Sequence, residues 1–366
     1  MFIKSLINII LLLALNAFFY KFYHKNKVLF ILFSLMIIFV LIINKFLINP
    51  SYFPDQFTYF DYVRSIRNLD FSILENYHLN VSDRTFFSSI LLSIFPLPFV
   101  DQILDVALLS KGFFLLMVIY LYQKKYVNNA SLIFLLFTPS ILLYSSLALK
   151  ETLIYATCVL SFILFYEKRI FYFIIISIAL FFLKPIILTI LITSFVIAWI
   201  SEKIKNKFNV SLFKIYSIAI LIALLVALVN IDLILVEINK LRYSQWANDL
   251  FPPYLYTEIN KGNLLYEFFL QGVLNFYFSP YLSNFNNIFK LVQFMENIFL
   301  IAFIIYNFNN TIKAKYSMFP ILFLLFFSLL LGGLVFNSGT LTRYKVEIVL
   351  VYVVLSNYLK IKNSNK

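Results

Sequence analysis

Residues 141–156 read ILLYSSLALKETLIYA. Lys150 and Glu151 stand side by side in a run that is otherwise apolar or hydroxylated. Left in lipid, each charge would cost roughly 2.5–3.5 kcal/mol on insertion scales. The pair therefore marks a membrane boundary or faces a polar site, and the rest of the chain points to both.

The chain has 366 residues, 62% hydrophobic, 20% aromatic and 13% charged. Soluble domains are about 45–50% apolar and about 25% charged, and 45 Phe beside six Gly do not suit a soluble core. Apolar runs of about twenty residues recur from end to end, so the sequence predicts an all-α, polytopic integral membrane protein forming one transmembrane domain over 1–366. The alternating pattern of an outer-membrane barrel is absent. A formal charge of +13 first suggests nucleic acid. Topology explains it better, because Lys and Arg collect in cytoplasmic loops, and no nucleic-acid partner is expected. The one cysteine, Cys158, gives no disulfide framework. The first apolar stretch follows Lys4 without a small-residue cleavage site, which predicts a retained helix rather than a signal peptide.

Candidate spans cover 6–20, 28–48, 105–122, 130–148, 152–166, 170–183, 186–200, 212–234, 287–308, 317–336 and 344–359, about eleven transmembrane helices. The links between them are basic. They carry Lys21, Lys25 and Lys27; Lys124 and Lys125; Lys168 and Arg169; Lys203, Lys205 and Lys207; Lys313 and Lys315; and finally Lys360, Lys362 and Lys366. All of these fall on the cytoplasmic side provided that 86–99 does not cross. That segment, within TFFSSILLSIFPLPF, is short and broken by Pro96 and Pro98, so it is expected to be re-entrant or to lie in the interface. The N-terminus then starts outside and the C-terminus ends inside.

Two longer outer loops follow, 49–104 and 235–286, and they hold most of the acids. The first, with the edge of the span after it, carries Asp55, Asp61, Asp70, Glu75, Asp83, Asp101 and Asp105, with Arg64, Arg67 and Arg84; the second carries Glu237, Asp249, Glu258 and Glu267, with Arg242. So sharp a shift in composition places function on the outer face.

Three constellations stand out there. In PSYFPDQFTYFDYVRSIRNLDF, directly after the second span, Asp55, Tyr59 and Tyr62 are spaced about a helical turn apart, as are Asp61 and Arg64. An interface helix with aromatic anchors and paired charges would look the same. A carboxylate at a membrane mouth can also serve as general base toward a sugar hydroxyl, and Asp55 is the candidate. Lys150 and Glu151 form the second set, above Tyr144, Ser145 and Ser146, with Lys184 expected at the next outer turn. They supply a cation for a lipid-linked phosphate and a carboxylate for the acceptor, or merely an exposed helix-end pair worth about 0–1 kcal/mol. NSGTLTRYKVEIVL is the third. Arg343 and Lys345 are expected at an outer helix start, where both topology and the helix dipole disfavour cations, which suggests that they meet an anion. Pairing of Arg343 with Glu347 is the plainer alternative. Metal-binding and nucleotide-binding motifs are missing, and no metal ligands are assigned.

Taken together, PDQFTYFDYVRSI with Asp55, the juxtamembrane segment 86–99, the basic link in LYQKKYV, the P-S-x-x-x-Y-S-S pattern from Pro139 and the late R-Y-K resemble GT-C-type polyprenyl-sugar glycosyltransferases. The chain is also similar to Wzy-type O-antigen and capsule repeat-unit polymerases, in its Phe/Ile richness, its number of spans and its two main periplasmic loops. The resemblance implies a GT-C-like fold in a bacterial inner membrane with a periplasmic active face. It implies polyprenyl-linked oligosaccharides as donor and acceptor, and leaves room for a divalent cation and a chain-length regulator. Asp55 and Glu151 are then the catalytic candidates. Tyr59, Arg64, Lys150, Lys184, Arg242, Arg343 and Lys345 are the substrate-binding ones. A single-sugar GT-C transferase and a polyisoprenoid-linked sugar flippase are the alternatives.

Overall fold

The computed structural model describes residues 2–70, 83–208, 230–248, 258–280, 288–312, 318–335 and 338–364. Glu75, His78, Asp249 and most of the expected span 212–234 lie outside the described residues. Among those described, every regular element is helical. Five helices are long and apolar enough to cross a membrane: Ile3–Tyr23, Lys27–Leu47, Ile103–Gln123, Pro185–Phe208 and Lys290–Phe308. This is the make-up of a membrane-embedded protein. The chain gathers into two compact units, Met1–Leu188 and Thr189–Lys366.

In the first unit, α1 (Phe2–Phe19) and α2 (Lys27–Ile42) are joined by a π-helical turn and a left-handed Lys25. Asn26 starts α2 by accepting the N–H groups of Val28 and Leu29, so one short side chain ends the link. Asp55 opens α3 (Asp55–Arg67), and α4 (Asp83–Ser93) packs against it. The next helix, α5 (Ile103–Gln123), begins where Asp105 reaches back to the N–H groups of Asp101 and Gln102. It is the central helix: 78% of its span is buried, against 28% for α1. Exposed Ile10, Ile31 and Leu35 mark the apolar outer faces of α1 and α2, as lipid contact requires.

The expected span 130–148 is not one helix. It divides into α6 (Asn129–Phe137) and α7 (Pro139–Tyr144), with extended Thr138 between them. Pro139 has no N–H to continue the ladder, so the helix breaks where it enters. Residues 145–150 form an irregular turn before α8 (Glu151–Tyr166), which folds back as α9 (Ile170–Leu183) through a three-residue link. A helix of 16 residues is about 24 Å long, less than a hydrocarbon core of about 30 Å.

The first unit has two chemically different ends. At one, Asn26 donates to Tyr122 Oη (3.2 Å) and Tyr126 Oη donates to Glu167 (2.6 Å), which also pairs with Arg169 (3.3 Å). Three basic links therefore meet there. At the other, Lys4 pairs with Asp101 (2.7 Å) and Lys45 donates to Gln102 (3.1 Å). The helix α4 stops at Ser93, and the chain returns through Pro96 and Pro98 to this same end.

The second unit takes most of α10 (Pro185–Phe208), then α11 (Ile231–Asn248), α12 (Gln271–Phe278), α13 (Ile288–Ile312), α14 (Met318–Leu334) and α15 (Ser338–Ser364). Two expected boundaries move. The helix α11 starts at Ile231 and reaches Asn248, so most of it lies in the expected outer loop 235–286. The helix α15 starts at Ser338 rather than 344, so Arg343 and Lys345 sit beyond its first turn, where the dipole penalty has faded. Helices α12 and α14 cross at glycine: a Cβ on Gly332 would fall 2.0 Å from the Gly272 carbonyl oxygen. Helices α13 and α15 run parallel, tied by Lys345 to Asn297, Tyr352 to the Ile304 carbonyl and Asn357 to Asn307.

Candidate functional site

The turn at 145–150 is the best-defined polar feature of the first unit. Its residues Ser145 to Leu149 are fully buried. Irregular backbone at such depth needs partners for its N–H and C=O groups, and side chains from three elements supply them. Asn44, in the π-helical turn that follows α2, donates to the Ser146 carbonyl at 2.7 Å. Gln56 on α3 accepts the Ala148 N–H at 3.1 Å. On α5, Ser110 donates to the Leu149 carbonyl (3.2 Å) and lies 2.9 Å from the Thr152 hydroxyl, while Lys111 Nζ donates to Ser145 Oγ at 2.7 Å.

Asp55 stands exposed at the first position of α3, directly before Gln56. Phe53 meets Tyr144 edge to face, with ring centroids 6.3 Å apart. Both flanks of Asp55 therefore touch the segment that leads to Lys150 and Glu151. The structure thus brings the first and second constellations together. Glu151 is 1% exposed, so it is no surface helix-end charge, while Lys150 beside it is half-buried. Lys184, also half-buried, caps the C-terminal end of α9. Because α8 and α9 form an antiparallel hairpin, that end is level with the start of α8.

The other residues of α3 have separate surroundings. Tyr59 and Tyr62 are buried inside the unit, whereas Arg64 is exposed and lies over the Phe60 ring at 5.9 Å. Burial raises the Asp61 carboxyl, with Arg64 opposing. Arg67 donates to the carbonyls of Ser93, Phe95 and Leu97 and so holds the Pro-broken return after α4. Burial lowers its guanidinium, with Asp105 opposing. The hydrogen bond from Lys4 holds Asp101 below the ordinary carboxylate range.

Arg242, Arg343 and Lys345 belong to the second unit. Arg242 is buried and donates to the Gly333 carbonyl at 2.6 Å, beside the glycine crossing. Lys345 is 1% exposed; it donates to Asn297 Oδ1 (2.6 Å) and to the Ser279 carbonyl (3.2 Å) at the end of α12. Arg343 is half-buried, and Glu347 is buried. Among the described residues no group of three or more His, Cys, Asp and Glu is gathered to hold a metal ion.

Four residues that hold the buried turn escaped the sequence: Asn44, Gln56, Ser110 and Lys111. Only Lys111 carried a signal, an ionisable residue inside the apolar run LLSKGFF. Comparison of the chain with family models, with curated proteins and with solved structures gave no match.

Proposed function

We propose that this chain is a bacterial inner-membrane glycosyltransferase that uses a polyprenyl-phosphate-linked donor at the periplasmic face and joins oligosaccharide repeat units into a surface polysaccharide. In this reading it has about eleven spans, with 49–104 and 235–286 as its larger periplasmic regions. The meeting of three basic links at one end of the first unit supports a cytoplasmic assignment for that end. The opposite end, with Asp55 and the 145–150 turn, is then periplasmic.

One observation carries the proposal: the contacts of Phe53 and Gln56 set Asp55 against the turn that bears Lys150 and Glu151. Such an arrangement offers an exposed carboxylate, Asp55, and a half-buried cation, Lys150, at the same end of the unit. In the reaction, an acceptor hydroxyl oxygen bonds to the donor's anomeric carbon. The bond from that carbon to the phosphate oxygen breaks, and the leaving phosphate keeps the electron pair. The hydroxyl proton passes to a carboxylate. Asp55, being exposed, suits that step better than buried Glu151. Lys150 and Lys184 take the leaving charge.

Asp55→Asn and Glu151→Gln test the assignment, with surface-glycan chain length as readout and membrane protein level as control. Asp55→Asn should abolish transfer while the protein accumulates normally. Wild-type chain lengths in both variants would remove the carboxylates from the mechanism. Buried charges inside membrane-length helices, Lys111 and Lys345, favour a second reading, a polyprenyl-linked sugar flippase. The two separate by where the lipid-linked glycan accumulates in a deletion strain: on the outer leaflet for the transferase, on the inner leaflet for the flippase.

A further inference from the structure

We infer that Lys111 is a positioning residue for this transfer, acting through the 145–150 turn; the inference rests on the function proposed above. Lys111 is fully buried on α5. Among the described residues its ammonium meets the Ser145 hydroxyl and, at 5.3 Å, the ring of Phe114, and no carboxylate. Burial of an ammonium against one hydroxyl opposes folding, and an apolar side chain of similar length would fit an apolar helix better. Folding stability therefore does not account for a lysine here.

Its location does. Lys111 and Ser110 are adjacent on the central helix, and between them they grip both ends of the turn. Lys111 holds Ser145, the first residue after α7, while Ser110 holds Leu149 and Thr152 at the start of α8. Lys150 and Glu151 lie between Leu149 and Thr152. A slip at Ser145 changes the path of the five residues that lead to Lys150, and a misplacement on the scale of an ångström is enough to slow a reaction. Lys111 touches neither Lys150 nor Glu151 among its contacts, and it has no exposed atoms to offer a substrate.

The test uses full-length protein in native membranes, with the polyprenyl-linked glycan that accumulates in a deletion strain as donor and acceptor. Lys111→Met should lower kcat by about tenfold or more and change KM by less than about twofold. Thermal stability in detergent should stay the same or rise. Lys111→Arg, which keeps a donor, should restore part of the rate. Ser145→Ala should lower kcat as well, and combining it with Lys111→Met should add no further loss. In separate Lys150→Cys variants, built on Cys158→Ser, a membrane-impermeant maleimide should react several-fold faster when Lys111 is Met.

An unchanged kcat overturns the proposal. So does a fall in rate that tracks lost stability, which assigns Lys111 to folding alone, or a rise in KM at constant kcat, which makes it a binding residue. If Lys111→Met does not accumulate, Ser145→Ala decides, and an unchanged kcat there overturns the proposal. No transfer by the wild type overturns the function itself and, with it, the role of Lys111 in that reaction. Labelling then still reports whether Lys111 holds the turn, and unchanged labelling rejects that hold on its own.

Discussion

Replacing Gln56 with leucine separates what the buried turn needs for folding from what it needs for its shape. Gln56 is fully buried; its Oε1 accepts the Ala148 N–H at 3.1 Å, and its Nε2 has no hydrogen-bond partner among the described residues. Leucine removes that unpartnered amide nitrogen, a gain of about 1–3 kcal/mol. It also leaves the Ala148 N–H without its acceptor, a cost of the same order. The two changes oppose each other, so net stability should move by less than about 1 kcal/mol. The turn nevertheless loses its tether to α3, the Gln56–Ala148 hydrogen bond three residues before Glu151. Unfolding by denaturant in mixed micelles measures the first effect, and maleimide reaction of Lys150→Cys measures the second. The expected result is near-constant stability with faster labelling and slower glycan transfer. A stability loss above about 3 kcal/mol would refute the reasoning, because it would mean that both ends of the amide are engaged. Unchanged labelling would refute the tether.

Other outcomes follow from single contacts. Gly332→Ala sets a methyl 2.0 Å from the Gly272 carbonyl oxygen and should destabilise the second unit by about 1–3 kcal/mol, seen as an earlier unfolding transition. Arg343→Lys should lower transfer strongly if the guanidinium binds phosphate bidentately, and near-normal chain lengths would transfer the residue to a structural pair. Because Lys4 holds Asp101 below its ordinary value, the pair adds stability that is present above the unfolded carboxylate pKa. That contribution is lost as pH falls through the folded value, which lies below the ordinary aspartate value. Lys4→Met should flatten the pH dependence of stability there, and an identical profile in the variant would exclude the linkage. Reporter fusions at Asn128 and Asn206 should report cytoplasm and at Lys261 periplasm; the reverse at Lys261 would overturn the siting of the function.

The five membrane-length helices fall on expected spans, because apolar length and basic links are local signals. Lys21 to Lys27, Lys124 to Lys125 and Lys168 to Arg169 marked the links that meet at one end of the first unit. The break at Pro139 was visible as a residue but not as a consequence, since proline within an apolar run also occurs in unbroken membrane helices. Asp55 and Glu151 were picked out as charges near apolar runs. That the start of α3 packs on the segment before Glu151 was not legible, because it depends on Gln56 and Phe53 meeting residues more than ninety positions away. Asn44 and Ser110 left no trace in the sequence, as each is an ordinary polar residue in a helix until its partner is known. The depth of Lys345 was also hidden: only packing shows it ending on Asn297 and Ser279.

Why the turn lies inside the unit can be argued from its hydrogen bonds. A turn at the surface satisfies its backbone with water and needs no side chains. This one places Ser145 to Leu149 out of reach of solvent and then spends Asn44, Gln56 and Ser110 on the Ser146, Ala148 and Leu149 backbone groups. Those three residues come from the π-helical turn after α2, the start of α3 and the central helix α5. Unravelling the turn would leave a carbonyl or an N–H unpaired at each of three points, at about 1–3 kcal/mol apiece. The turn is therefore held far more firmly than its irregular backbone suggests. Firmness is what a carboxylate and a cation need if they are to keep one geometry while a substrate binds and leaves. Burial alone already requires these hydrogen bonds, so the firmness is compatible with the site proposed for Lys150 and Glu151, and the Asp55→Asn and Glu151→Gln variants decide it.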